Sequence, residues 1–151
     1  MKPLIKLKNL LKKNQLDAFI IPKSDMFFSE EVLPHQERLK YITNFTGSFG
    51  FALVLSKSNI KSAIFSDGRY KIQIEQEVNK NDFNFFNGGL LAIADFIILN
   101  NKNIKNIAID PSLISIKDFE ILNNKLKNKN IKFIKIKENL VDKVWNNKPD
   151  I

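Results

Sequence analysis

The chain has 151 residues, the size of one ordinary domain, and is 44% apolar and 26% charged, a balance typical of globular rather than disordered chains. It has no cysteine, which excludes a disulfide framework and a thiolate metal site and fits a reducing, cytoplasmic setting. The formal charge of +8 raises nucleic acid as a partner, yet only Arg38 and Arg69 among 24 basic residues are arginine. Readers of bases and phosphates favour the bidentate guanidinium, and lysines such as Lys125, Lys127, Lys129, Lys132, Lys135 and Lys137 are spread along solvent faces. No nucleic-acid partner is expected.

In chain order, residues 3–14 have helical spacing with Pro3 in the first turn. Their lysines alternate with Leu and Ile, so no clean signal-peptide core is present. A helix lying on a membrane surface would carry the same stripe as a helix docked on a core, and the docked reading is adopted. Residues 17–22 (DAFIIP) form a short buried strand. A long polar connection covers 24–34, and 36–45 include a helix. Two strands follow at 51–56 and 61–66, and the Ser-Lys-Ser-Asn turn between them predicts an antiparallel hairpin.

A helix is predicted over 69–78 and a strand over 82–86. Residues 90–100 are apolar nearly all round and predict a buried helix. At roughly half the 20 residues a span requires, they do not cross a membrane. A strand at 105–110 ends at Pro111. Ser115 opens a helix to about residue 128, with Asp118 as its capping-box partner. Residues 131–137 alternate in period two, and a short helix closes the chain at 140–145. Trp145, after that last element, either packs on the core or belongs to a junction with a neighbouring domain, and its position favours the junction. The pattern is α/β: one domain over 1–151, with a mixed sheet of about six strands and helices on both faces.

Chemistry-bearing clusters are sparse. A hydrolytic zinc site needs several His, Asp or Glu ligands, and the single histidine, His35, sits in a loop beside Pro34 as a surface or packing residue. Neither a catalytic residue nor a metal ligand is assigned. Gly47-Ser48-Phe49-Gly50 lacks the Lys-Ser/Thr and following helix of a phosphate loop; it reads as a tight turn with positive φ at one or both glycines. Asp67-Gly68-Arg69-Tyr70 falls between a strand and a helix. Asp67 suits the helix cap, and Arg69 on the first turn is aimed past the sheet end, where α/β domains bind ligands. A guanidinium there suits a carboxylate or a peptide carbonyl.

Four stretches in order give the chain a resemblance: Asp17 to Pro22; Ser29-Glu30 with Arg38, Ile42 and Phe45-Thr46-Gly47-Ser48; Asp67-Gly68-Arg69-Tyr70 with Gln73 and Gln76; and Glu138 to Trp145 with Pro149. The sequence resembles the N-terminal domain shared by Xaa-Pro aminopeptidases (aminopeptidase P), prolidases and creatinases, nearest to the aminopeptidase P branch. It departs from that pattern at Glu31, where Tyr is usual, at Asn44, where Gly is usual, and at Phe49, where a small residue is usual.

The resemblance implies a creatinase-type non-catalytic domain of an enzyme that removes the residue before an N-terminal proline. Two divalent metal ions, manganese or zinc, would lie in a C-terminal catalytic domain outside this chain, which alone would be inactive. It also implies a homodimer or higher oligomer, a peptide substrate, and Arg69, Asp67 and Tyr70 as substrate-binding residues at the active-site mouth. The alternative is a stand-alone, non-enzymatic binding or scaffolding domain of the same fold.

Overall fold

A computed structural model describes residues 1–24, 28, 29 and 31–150; part of the expected 24–34 connection, including Glu30, lies outside the described residues. Helix α1 (Pro3–Lys13) starts with Pro at its first turn and ends in Lys12 and Lys13, which complement the helix dipole. Leu4, Leu7 and Leu11 recur at helical spacing and are buried against the sheet. Strand β1 (Ala18–Pro22) follows and is buried at all five positions, as a central strand covered on both faces must be.

Helix α2 (Arg38–Thr43) stops at Asn44, whose φ of 69° is left-handed. Asparagine tolerates that conformation better than other side chains, so the departure from Gly leaves this cap intact. Strands β2 (Phe51–Leu55) and β3 (Ser62–Ser66) pair antiparallel as expected. The buried Lys8 pins their connecting turn from α1, donating Nζ to Lys57 O at 3.1 Å and Ile60 O at 3.0 Å. Burial pushes the Lys8 ammonium below the ordinary lysine pKa, against the attraction of Asp82 and with a smaller push from Lys12.

A 3-10 turn (Gly68–Tyr70) leads into α3 (Lys71–Glu77), then β4 (Phe83–Asn87), α4 (Leu90–Leu99), β5 (Asn106–Ile109), α5 (Ile116–Lys125), β6 (Lys132–Lys135) and α6 (Leu140–Val144). Ser115 Oγ caps α5 by accepting from Asp118 N at 3.1 Å. That helix is shorter than expected: Asn128 and Asn130 both take positive φ and turn the chain toward β6.

The sheet order is β4-β3-β2-β1-β5-β6. Strands β3–β4, β1–β5 and β5–β6 are parallel, and β2 runs against both neighbours. Residues alternate between two cores. Phe19, Ile21, Val54 and Ile64 pack with α1, α2, α3 and α6; Ile20, Leu53, Phe65 and Ile107 pack with α4 and α5. The expected mixed six-stranded sheet with helices on both faces is the fold observed.

Two expectations need correction. Helix α4 is not buried all round: Ile93, Ala94 and Ile97 face the core, while Leu91 and Leu99 are exposed. A helix on an outer layer has only the sheet and a neighbour to cover it, whatever its composition. Trp145, which its position in the chain favoured as a junction residue, packs on the core of this domain. It is 9% exposed and stacks on Tyr41 with ring centroids 4.4 Å apart.

Candidate functional site at the carboxyl end of the sheet

Five of the six strands run the same way, so the segments after β1, β3, β4, β5 and β6 and the segment before β2 gather at one end of the sheet. Ligands of α/β domains bind at such ends. Here Asp67 follows β3 and accepts a hydrogen bond from Arg69 N at 2.9 Å, capping the 3-10 turn. Its Oδ1 also meets Arg69 Nε at 3.2 Å. The backbone hydrogen bond from Arg69 first, and its guanidinium second, hold the Asp67 carboxyl below the ordinary range; Asp67 in turn raises the Arg69 pKa. The Arg69 side chain is 81% exposed, which leaves its guanidinium open to solvent, a shape suited to a carboxylate or a carbonyl.

Tyr70 turns inward instead. Its ring meets Phe45 edge-on at 5.7 Å, and its hydroxyl lies 2.5 Å from Ser48 Oγ. That contact joins the Arg69 corner to the turn before β2. The same turn is fastened to α3 by Glu77, which accepts from Thr46 N at 2.9 Å and Thr46 Oγ1 at 2.7 Å, with Gln73 Nε2 donating to both Thr46 Oγ1 and Glu77. Partial burial opposes charge on Glu77, but the hydrogen bonds from Thr46 and Gln73 outweigh it and lower its pKa. Sequence reasoning missed Glu77; its spacing four residues from Gln73 puts both on one helix face, yet nothing local points to Thr46.

The glycines of this turn do not act through φ. Neither Gly47 nor Gly50 has positive φ, and that conformation falls instead on Gly88 at +128°. What fixes Gly47 is proximity: a Cβ there would stand 2.1 Å from Phe45 Cζ. Gly50 is likewise pressed between the Phe45 ring and Phe65 O, each 3.1 Å from a would-be Cβ. Phe49, where a small residue was expected, is accommodated by pointing outward against Phe51.

Beside the turn opens a cleft of about 700 Å³ lined by Lys23, Glu37, Tyr41, Thr46, Trp145 and Pro149. His35 is buried in a 3-10 turn (Pro34–Gln36). Among the described residues, no three His, Cys, Asp or Glu side chains converge in a way that could hold a metal ion. No helix among them is long and apolar enough to cross a membrane.

The Creatinase/Prolidase N-terminal domain family matches residues 4–144. The chain belongs to that family. This creatinase/prolidase N-terminal domain is 35% identical over 145 residues to a probable Xaa-Pro aminopeptidase P of Laccaria bicolor, covering 94% of this chain and 22% of that protein. It is 32% identical over 139 residues to Xaa-Pro aminopeptidase 2 of Rattus norvegicus, covering 92% and 20%. The domain thus spans about a fifth of the length of the curated relatives it matches.

Among solved structures, it superposes on the X-prolyl aminopeptidase of Caenorhabditis elegans, described as a cytosolic enzyme with a di-nuclear active site. The TM-score is 0.83 at 23% identity, over 98% of this chain and 26% of the worm protein. It also superposes on the N-terminal domain of the cytoplasmic peptidase PepQ of Mycobacterium tuberculosis, with TM-score 0.73 at 19% identity, over 94% and 97% of the two chains. These two likenesses concern the fold.

Proposed function

We propose that this domain is the amino-terminal, non-catalytic part of a cytoplasmic Xaa-Pro aminopeptidase, where it shapes the substrate entrance and contributes to a homodimer or higher oligomer. The observation that carries the reading is Arg69, held by Asp67 yet open to solvent at the carboxyl end of the sheet in a domain whose relatives are Xaa-Pro aminopeptidases. The described residues do not make a metal cluster. In this reading two divalent ions, manganese or zinc, belong to a catalytic domain elsewhere in the protein, where they would activate water and polarise the scissile carbonyl. Arg69 would grip a peptide carbonyl or carboxylate and orient the chain entering that centre, with Asp67 and Tyr70 fixing its turn.

The test is Arg69→Ala in the full-length protein, assayed with manganese on Xaa-Pro peptides of several lengths. Loss of one charge-assisted hydrogen bond, about 1.5–3 kcal/mol, predicts a fall in kcat/KM of roughly ten- to a hundredfold with an unchanged melting temperature. Unchanged kinetics on short and long peptides alike would refute the role. The 151-residue chain by itself is expected to hydrolyse none of them.

A further inference from the structure

Lysine is spread along the sequence, but the topology collects it. The end of the sheet opposite Arg69 is formed by segments 12–17, 57–61, 79–82, 100–106 and 126–132, which precede or connect the strands there. Side chains link four of them: Asn106 Nδ2 donates to Gln15 O at 3.3 Å, Lys57 Nζ to Asn103 Oδ1 at 2.6 Å, and Asn101 Nδ2 to Lys129 O at 2.9 Å; the fifth joins through Asp82 O, which accepts from Ser62 N beside Lys61 at 3.0 Å. These segments hold ten lysines and two carboxylates, so the whole +8 of the chain resides in them and the remaining fourteen basic and fourteen acidic residues balance.

Both carboxylates are engaged. Asp17 accepts from the backbone of Lys105 at 2.9 Å and Asn106 at 2.8 Å, and Asp82 pairs with Lys2. Nine of the ten lysines are exposed, with Lys105 half-buried. Among the described residues, none of the ten forms an ion pair.

We infer that this lysine pole is a docking surface for an anionic lipid bilayer, bound through headgroup phosphates without insertion. The segments contain no arginine and no aromatic residue, so they can neither read base edges nor stack on bases. Of their large apolar residues, Leu16, Ile104 and Leu126 are buried and Ile60 and Ile131 are half-buried against the same core, so none stands out as a wedge to enter a bilayer or a base step. What remains is a broad front, roughly 24 Å across six strands, of compact, strongly hydrated ammonium groups. Such a front matches a plane of phosphates better than the groove of a duplex. Adsorbed this way, the domain would turn the Arg69 corner toward water.

The test is co-sedimentation of the 151-residue chain with phosphatidylserine/phosphatidylcholine vesicles and with pure phosphatidylcholine vesicles at physiological salt. Each lysine near an anionic surface is worth about fivefold in binding. The variant Lys61→Gln/Lys102→Gln/Lys127→Gln/Lys129→Gln is therefore expected to lose about a hundredfold or more. The variant Lys40→Gln/Lys71→Gln/Lys117→Gln/Lys137→Gln, equal in net charge but altered away from the pole, is expected to stay within about fivefold of wild type, since charges beyond a Debye length are screened. Circular dichroism of both checks that they fold. Absence of binding to phosphatidylserine vesicles, equal loss in both variants, or release of bound chain by duplex DNA at matched phosphate concentration each overturns the assignment.

Discussion

Arg38, at the start of α2, makes a buried bidentate contact. Its side chain is 8% exposed, and it donates Nε and Nη2 to the two oxygens of Asp142 at 2.9 and 3.0 Å and Nη1 to Gln36 Oε1 at 2.8 Å. Asp142 sits on α6 and also meets Lys148 at 3.3 Å, so the pair ties the last helix to α2. Asp142→Ala strands the guanidinium. Removing one partner of a buried pair costs about 3–5 kcal/mol, and because Asp142 is 22% exposed, water reaching the site trims this to about 2–3 kcal/mol. With an unfolding entropy of about 2.1 cal/mol/K per residue, a chain this long should melt about 6–9 °C lower.

The assay is urea unfolding of wild type, Asp142→Ala, Arg38→Met and the double variant. The double variant should recover most of the loss, because an apolar side chain replaces the stranded charge. A loss below about 0.5 kcal/mol in Asp142→Ala, or simple additivity in the double variant, would refute the reasoning.

Gly47→Ala should destabilise by about 2–3 kcal/mol through overpacking against the buried Phe45 ring, and Gly47→Ala/Phe45→Leu should regain part of it in the same urea assay. Glu77 has its pKa lowered in the folded state, so its contribution is complete above the ordinary value of 4.5 and is lost as pH falls through the lower, folded value. Glu77→Gln should therefore lower the urea midpoint at neutral pH and flatten its dependence on pH below 4.5. A parallel fall of both proteins with acid would contradict this.

The strands were legible because DAFIIP, FALVLS and KSAIFS are short apolar runs between polar breaks, and the hairpin because its turn is four small or polar residues. Ser115 announced its helix by local chemistry that the structure repeats. Other features depend on partners far along the chain. Asp142 is invisible to Arg38 in a single sequence, and so is Thr46 to Glu77. Gly47 was read as a turn glycine needing positive φ, but what excludes a side chain there is a neighbouring ring rather than a dihedral angle. Trp145 looked terminal in order and proved central in space. The corner of Asp67, Arg69 and Tyr70 was readable as a cap and an exposed cation, whereas the inward turn of Tyr70 toward Ser48 required the three-dimensional meeting of two loops.

The pairing of β1 bears on how the chain assembles. One edge of β1 is met by β2, a near neighbour in sequence, but its other edge waits for β5, with Ala18 beside Ile107. The β2–β3 hairpin closes through a short turn and β1 joins it across the segment that holds α2, while the parallel half must return from β5, much farther along the chain, before it is rewarded. Until then β1 offers a bare apolar edge, the kind of template that recruits foreign strands. Truncations that end before β5 should consequently aggregate rather than yield a smaller folded unit, and the timing of β5 docking governs how cleanly the domain leaves the ribosome.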